Sequence, residues 1–175
     1  MIVLGYDGSE DARAAIEHAG RLLTGQETTV LTVWEPFIEV LTRTSYGGAM
    51  AIGTIDIESI DAANRDGALD RAKEGAELAR KAGLDATPRS AARVTTFADA
   101  IIDVADELEA AAIVVGSRGL TGVKSLLLGS VSHGLIQHAD RPVIVVPSAR
   151  VSAARAHRRT TDVTEPAPTP SRSRG

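Results

Sequence analysis

The chain has 175 residues, with 19 Lys and Arg against 23 Asp and Glu, a net charge of −4, which fits one α/β domain with an appendage. The absence of cysteine excludes a disulfide scaffold, a thiolate metal site and cysteine catalysis. One Trp, two Tyr and two Phe are too few for a base-stacking platform on single-stranded nucleic acid, and aliphatic runs such as Val143–Val146 fall far short of the about 20 residues of a membrane span.

Ile2–Tyr6 is a short apolar run of the kind carried by a strand buried on both faces. Ser9 follows as an N-cap with Glu10 and Asp11 in the first turn, and Ala15, Ile16, Ala19, Leu22 and Leu23 repeat at helical spacing up to Gly25. Thr28–Trp34 is a second strand, rich in β-branched residues. Residues 36–54, with Gly47, Gly48 and Gly53, read as an irregular loop. Ile57–Ala82 reads as a long helix closed by Gly83, and Ala86–Val94 as a strand that Pro88 assigns to a sheet edge. A helix over Phe97–Leu108 turns Phe97, Ile101, Val104, Ala105 and Leu108 to one side. Ala112–Val115 is another buried strand, Ser130–Ala139 a short helix with Val131, Leu135 and Ile136 facing inward, and Val143–Val146 the last strand.

The domain therefore spans residues 1–147. From Ser148 the chain has six Arg against Asp162 and Glu165, and Pro166, Pro168 and Pro170 forbid regular helix or a central strand. Residues 148–175 read as a disordered basic tail with a helical turn near Val151–His157. Without them the first 147 residues carry about −8. An acidic domain repels phosphate backbones, so nucleic acid is not an expected partner. No basic segment precedes the apolar run at Ile2, so a cytoplasmic location is expected.

The alternation of strand and helix implies a doubly wound, Rossmann-like sheet of five parallel strands with helices on both faces. Pro88 puts the third strand at an edge and the most apolar strands at the centre, giving the order 3-2-1-4-5. Ligands of such sheets sit where the strand order reverses, here between strands one and four. That point gathers Gly5, Tyr6, Asp7 and Gly8 from the first strand end with Val115, Gly116, Ser117, Arg118 and Gly119 from the fourth. Gly129 and Ser130 then open a helix, followed by Val131 and Ser132. A strand, a glycine loop and a free helix N-terminus make a phosphate cradle; the alternative is that the glycines serve turn geometry alone. Val123 before Lys124–Ser125 breaks a Walker A motif, Ser130-Val-Ser132-His-Gly134 is not a nucleophile elbow, and no Rossmann G-x-G-x-x-G is present. His133 and His138 lie five apart, off a common helical face, and no metal or catalytic set emerges.

Gly116 and Gly119, then nine residues, then Gly129-Ser130, resemble the ATP-binding signature of the universal stress protein family. The opening IVLGYDGSEDA, the second strand TVWEP and the closing RPVIVVP extend the resemblance from Ile2 to Pro147. The resemblance implies a Rossmann-like fold, a homodimer and a bound adenine nucleotide, usually ATP, with Mg²⁺. Carried over residue by residue, Asp7 lies near the ribose and Val33 meets the adenine. Gly116, Arg118 and Gly119 run along the phosphates, and Gly129, Ser130, Val131 and Ser132 close on them. Read structurally, Asp7 caps a helix, Val33 packs the core and Arg118 is a solvated loop residue. Two departures, Ala111–Ala112 before the fourth strand and Thr95–Thr96–Phe97 before the third helix, are expected to lie away from the nucleotide.

The function expected is that of a nucleotide-dependent stress-response regulator acting on an unknown protein partner. The alternatives are a slow ATPase, an autophosphorylating protein with Ser130 or Ser132 as acceptor, and a cyclic AMP binder. Val143, Ile144, Val145 and Val146 form an apolar sheet edge that invites a second copy. Gly119 is expected to need both space and a backbone conformation open to glycine.

Overall fold

The computed structural model describes residues 1–44, 56–119, 128–149 and 151–153. The elements in chain order are β1 (Ile2–Gly5), α1 (Glu10–Leu22), β2 (Glu27–Trp34), α2 (Phe37–Thr44), α3 (Ile57–Lys81), β3 (Asp85–Ala92), α4 (Phe97–Glu107), β4 (Ile113–Gly116), α5 (Ser130–His138) and β5 (Val143–Val146). All strand pairs are parallel, and the sheet order is β3-β2-β1-β4-β5. Pro88 lies on the edge strand β3 opposite Val30, where a residue without an N–H costs the ladder least.

Strand alternation divides the interior into two cores. Ile2, Leu4 and Tyr6 point to one face and pack with Ala12, Ala15, Ile16 and Ala19 of α1 and Ala76 and Ala79 of α3. Val3 points to the other and packs with Ile101, Val104 and Ala105 of α4 and Leu135 of α5. The face of α3 that meets the sheet carries Ala68, Ala72, Gly75, Ala76 and Ala79, all buried. These small residues let α3 lie close: a Cβ on Gly75 would stand 2.7 Å from Cδ1 of Tyr6.

Four expectations change. The first half of the 36–54 segment is helical. In α2, the apolar residues Phe37, Ile38, Val40 and Leu41 repeat at helical spacing, and the Pro36 carbonyl accepts from the Glu39 and Val40 N–H groups. The glycines that suggested a loop fall in residues 45–54, outside the described residues. Leu22 is 67% and Ile136 53% exposed, so neither faces inward, whereas Ile16 and Leu135 of the same helices are buried. The fold also continues beyond Pro147. Ser148 and Val151 are buried, and the Ser152 N–H donates to the Ser148 carbonyl at 2.9 Å. Lys124 and residues 154–175 lie outside the described residues. Among the described residues no helix is long and apolar enough to cross a membrane.

Candidate functional site

β1 and β4 lie side by side, Val3 opposite Ile113 and Leu4 opposite Val114, so the loops leaving them open at the same sheet end. Gly116 closes this junction by its size. A Cβ there would stand 2.6 Å from the Asp11 carbonyl carbon and 2.8 Å from the Ala12 nitrogen, so only glycine admits the first turn of α1 against the tip of β4. Ser117 then joins three elements. Its hydroxyl donates to Asp11 Oδ2 at 2.6 Å, its N–H donates to the Val146 carbonyl at 2.7 Å and its carbonyl accepts the Gly129 N–H at 2.8 Å. Ser9 ties the first loop to the second. Its Oγ accepts the Ala12 N–H at 3.1 Å as the cap of α1 and donates to the Arg118 carbonyl at 3.4 Å. The Ser9 N–H in turn donates to Asp7 Oδ1 at 2.9 Å.

These loops border a cavity of about 360 Å³. Of the residues gathered here from the sequence, Gly5, Tyr6, Asp7 and Val33 line it on the β1 and β2 side and Val115, Gly116, Arg118 and Gly119 along the second loop, while Gly8 and Ser117 do not. Gly129, Ser130, Val131 and Ser132 at the start of α5 complete the lining. Tyr6 borders it with main chain, because its ring belongs to the first core. Its hydroxyl donates to Glu74 Oε1 at 2.8 Å and accepts from Arg13 Nε at 3.3 Å. Burial pushes the Tyr6 phenol above its ordinary range, while the same hydroxyl bond, first among several causes, draws the Glu74 carboxyl down.

The cavity has an apolar and a polar side, set by the strand order. Leu31 and Val33 of β2, Phe97 and Ile101 of α4, and Val115 supply the apolar wall. On the β4 side, α5 begins at Ser130 with Gly129 as a cap that gives no side-chain bond. The first intrahelical bond runs from the His133 N–H to the Gly129 carbonyl at 2.9 Å, so the N–H groups of Ser130, Val131 and Ser132 have no partner within the helix. Ser130 is exposed. Ser132 is buried and its hydroxyl donates to the Gly116 carbonyl at 2.8 Å, which binds α5 to β4; the hydroxyl expected as a phosphate acceptor is already engaged. Gly119 is not in the left-handed region. A Cβ on Gly119 would lie 2.7 Å from Asp7 Oδ2, so any side chain at this position displaces the Asp7 carboxylate.

Six lining residues were not read from the sequence: Ala12, Leu31, Thr32, Arg71, Phe97 and Ile101. Leu31 and Thr32 were legible in principle, as the neighbours of Val33 at the end of the same strand. Arg71 comes from the middle of α3 and has no local motif. Its side chain lies beside Gly8, where a Cβ would be 3.7 Å from Arg71 Cδ. Phe97 corrects an expectation. Of Thr95, Thr96 and Phe97, Phe97 lines the cavity, because Thr96 caps α4 and puts Phe97 in its first turn, next to Ile101 one turn on.

The charged residues lining the cavity are Asp7, Arg71 and Arg118. Among the described residues no group of three or more His, Cys, Asp or Glu side chains could hold a metal. A Mg²⁺ ion held by one carboxylate, phosphate oxygens and water fits such a lining, with Asp7 as the carboxylate. A second hollow of about 470 Å³ lies between Trp34 and the start of α3, lined by Ile57, Glu58, Asp61, Ala62 and Arg65. Asp61 Oδ1 there accepts the Phe37 N–H at 2.7 Å, a bond that holds α2 on α3.

A sequence model described as "Universal stress protein family" matches residues 1–147. The chain is similar to the universal stress protein YxiE of Bacillus subtilis, 28% identical over 150 residues that cover 83% of this chain and 97% of that one. It is 32% identical over 151 residues to a universal stress protein of Thermus aquaticus, covering 83% and 96%. Among solved structures it resembles the universal stress protein of Archaeoglobus fulgidus in complex with dAMP, with a TM-score of 0.53 and 26% identity over 83% of this chain and 95% of that chain.

Proposed function

The chain belongs to the universal stress protein family, and from that premise we propose that it is a regulatory protein that binds ATP in the cavity between β1 and β4. The observation that carries this reading is the lining itself. The four signature residues Gly116, Gly119, Gly129 and Ser130 border one cavity with an apolar slot on its other side. Such a slot suits a purine, and free helix N–H groups beside Arg118 suit phosphates. The dAMP bound by the Archaeoglobus relative supports the same chemistry. Asp7 takes the ribose or a Mg²⁺ ion on the phosphates. Binding changes the surface around the mouth, or the dimer, and so the recognition of a protein partner. Hydrolysis is slow or absent, since no lining side chain is placed as a general base; turnover above about one per second would favour an enzyme instead.

Calorimetric titration of ATP tests the site. Gly119→Val drives a side chain onto the Asp7 carboxylate and abolishes binding. Ser130→Ala removes a hydroxyl bond to a charged acceptor, a loss of roughly ten- to a hundredfold. Lys124→Ala, in the spacer, leaves affinity unchanged. Loss on Lys124→Ala with binding retained by folded Gly119→Val refutes the assignment. Mass spectrometry of the protein as isolated separates ATP from cyclic AMP, phosphoserine or no ligand.

We further propose a homodimer through β5, whose outer edge has no neighbour in the sheet. Val143, Ile144 and Val145 are half-buried there. Sedimentation at micromolar concentration gives a dimer, and Val145→Lys shifts it toward monomer; a wild-type monomer contradicts this.

A further inference from the structure

We propose that Phe97 is the stacking wall for the nucleotide base, and that Arg93 is the positioning residue that holds its ring. This rests on the nucleotide reading above and goes beyond it, because it assigns base recognition to a residue outside the glycine signature. The rest of the apolar wall, Leu31, Val33, Ile101 and Val115, is aliphatic, and Phe97 is the one side chain on the lining with an open aromatic face. It is 36% exposed, in a chain that has only five aromatic residues, one Trp, two Tyr and two Phe.

The ring is fixed from behind. The Arg93 guanidinium carbon lies over the ring, 5.5 Å from its centroid, and Arg93 is not among the cavity's lining residues; in the proposed arrangement one face of the ring serves the cation and the other the base. Arg93 is itself anchored. Its Nη2 pairs with Glu35, its Nη1 donates to the Thr95 carbonyl at 2.9 Å, and Glu39 Oε2 lies 3.8 Å away. Glu35 also meets Arg43 Nη1 at 3.0 Å. Arg93 Nε is buried and donates no hydrogen bond among the described residues. A cation on one face of an aromatic ring draws electron density from it, and the opposite face then favours offset stacking with an electron-rich ring such as adenine. The network thus presents the ring in one orientation before the ligand arrives, which lowers the ordering cost of binding.

Stacking acts on the base and not on the phosphates, and this sets the test. Adenosine, AMP and ATP are titrated calorimetrically into wild type, Phe97→Ala, Phe97→Trp, Arg93→Met and Arg93→Lys. Phe97→Ala weakens all three ligands by the same factor, about 5- to 100-fold. Phe97→Trp binds within about threefold of wild type, and adenosine quenches its added indole fluorescence beyond the change seen for Trp34 in wild type. Arg93→Met weakens all three by about two- to fivefold, and Arg93→Lys, which keeps a cation, recovers most of that loss. Phe97 is half-exposed in the first turn of α4, so its variants keep the fold, and circular dichroism checks all four. Unchanged affinity in Phe97→Ala, a loss confined to ATP, or an unquenched Phe97→Trp overturns the proposal while leaving the nucleotide site standing. A wild-type protein that binds none of the three overturns both.

Discussion

Glu74 links the interior of the sheet to solvent pH. Its carboxylate accepts from the Tyr6 hydroxyl at 2.8 Å and from Arg13 Nη2 at 2.8 Å. The Tyr6 bond first, then Arg13 and Arg71, holds its pKa below the ordinary value of 4.5. Glu107 beside Arg89, Asp140 beside Arg141, and Asp99 beside the Thr95 and Thr96 hydroxyls shift in the same direction. A carboxylate with a depressed folded pKa stabilises the fold above its unfolded pKa, and that contribution is lost as pH falls through the folded one. The melting temperature therefore holds at neutral pH and declines below about pH 4.5. Glu74→Gln flattens that decline, and a melting temperature unchanged between about pH 6 and about pH 3 contradicts it. At this scale the sequence disclosed the residues whose type and spacing form a local pattern, namely the glycines and Ser130. Arg71 and Phe97 reach the cavity through the packing of α3 on Tyr6 and the capping of α4 by Thr96, which no local pattern announces.

Among the elements, the end of α4 is tied by Arg141 to the segment that leads into β5. Arg141 Nη1 donates to the carbonyls of Ala105 at 2.7 Å and Ala110 at 2.9 Å, and Nη2 pairs with Asp106. These carbonyls belong to the end of α4 and the turn beyond it, where helical partners run out and a cation is favoured by the helix dipole. The Ala105 carbonyl also accepts the Ala110 N–H at 2.8 Å, so Arg141→Ala strips the Ala110 carbonyl of this donor and costs about 1–3 kcal/mol, a fall of roughly 2–12 °C in melting temperature for a domain of this size. Arg141→Lys recovers only part, because a point cation cannot serve both carbonyls as the guanidinium fork does. No change in melting temperature on Arg141→Ala defeats the argument. Strands and long helices were legible because their periods persist over several turns. The short helix α2 was hidden by the glycines that follow it, and the outward turn of Leu22 and Ile136 depends on how much of each helix the sheet covers.

For the whole molecule, the sheet order followed from two local facts, a proline on one strand and unbroken apolar runs on two others. The end of the domain did not, because Val151 sits in a stretch of polar and basic residues and its burial is a tertiary matter. Val151 is 2% exposed and Ser148 1%. Removal of residues 148–175 therefore strips a buried valine, worth about 1.5–3 kcal/mol, and lowers the melting temperature by roughly 3–12 °C. Removal of residues 154–175 alone leaves Val151 in place and the melting temperature within about 2 °C of the full chain. Equal melting for the two truncations removes Val151 from the fold.

The pairing of β1 with β4, Val3 to Ile113 and Leu4 to Val114, also sets a clock. One wall of the cavity, Gly5 to Asp7, is synthesised well over a hundred residues before the other, Gly129 to Ser132. At about 5–20 residues per second, roughly 6–25 s separate the two. Until then the first wall exists without its counterpart, and no ligand of the cavity can select among folding chains. A ligand acts on the finished protein alone, adding about 2.7 kcal/mol at a hundred times its Kd. Occupancy is thus a report that synthesis has passed α5, and nascent or truncated chains that stop before α5 remain unbound at any ligand concentration.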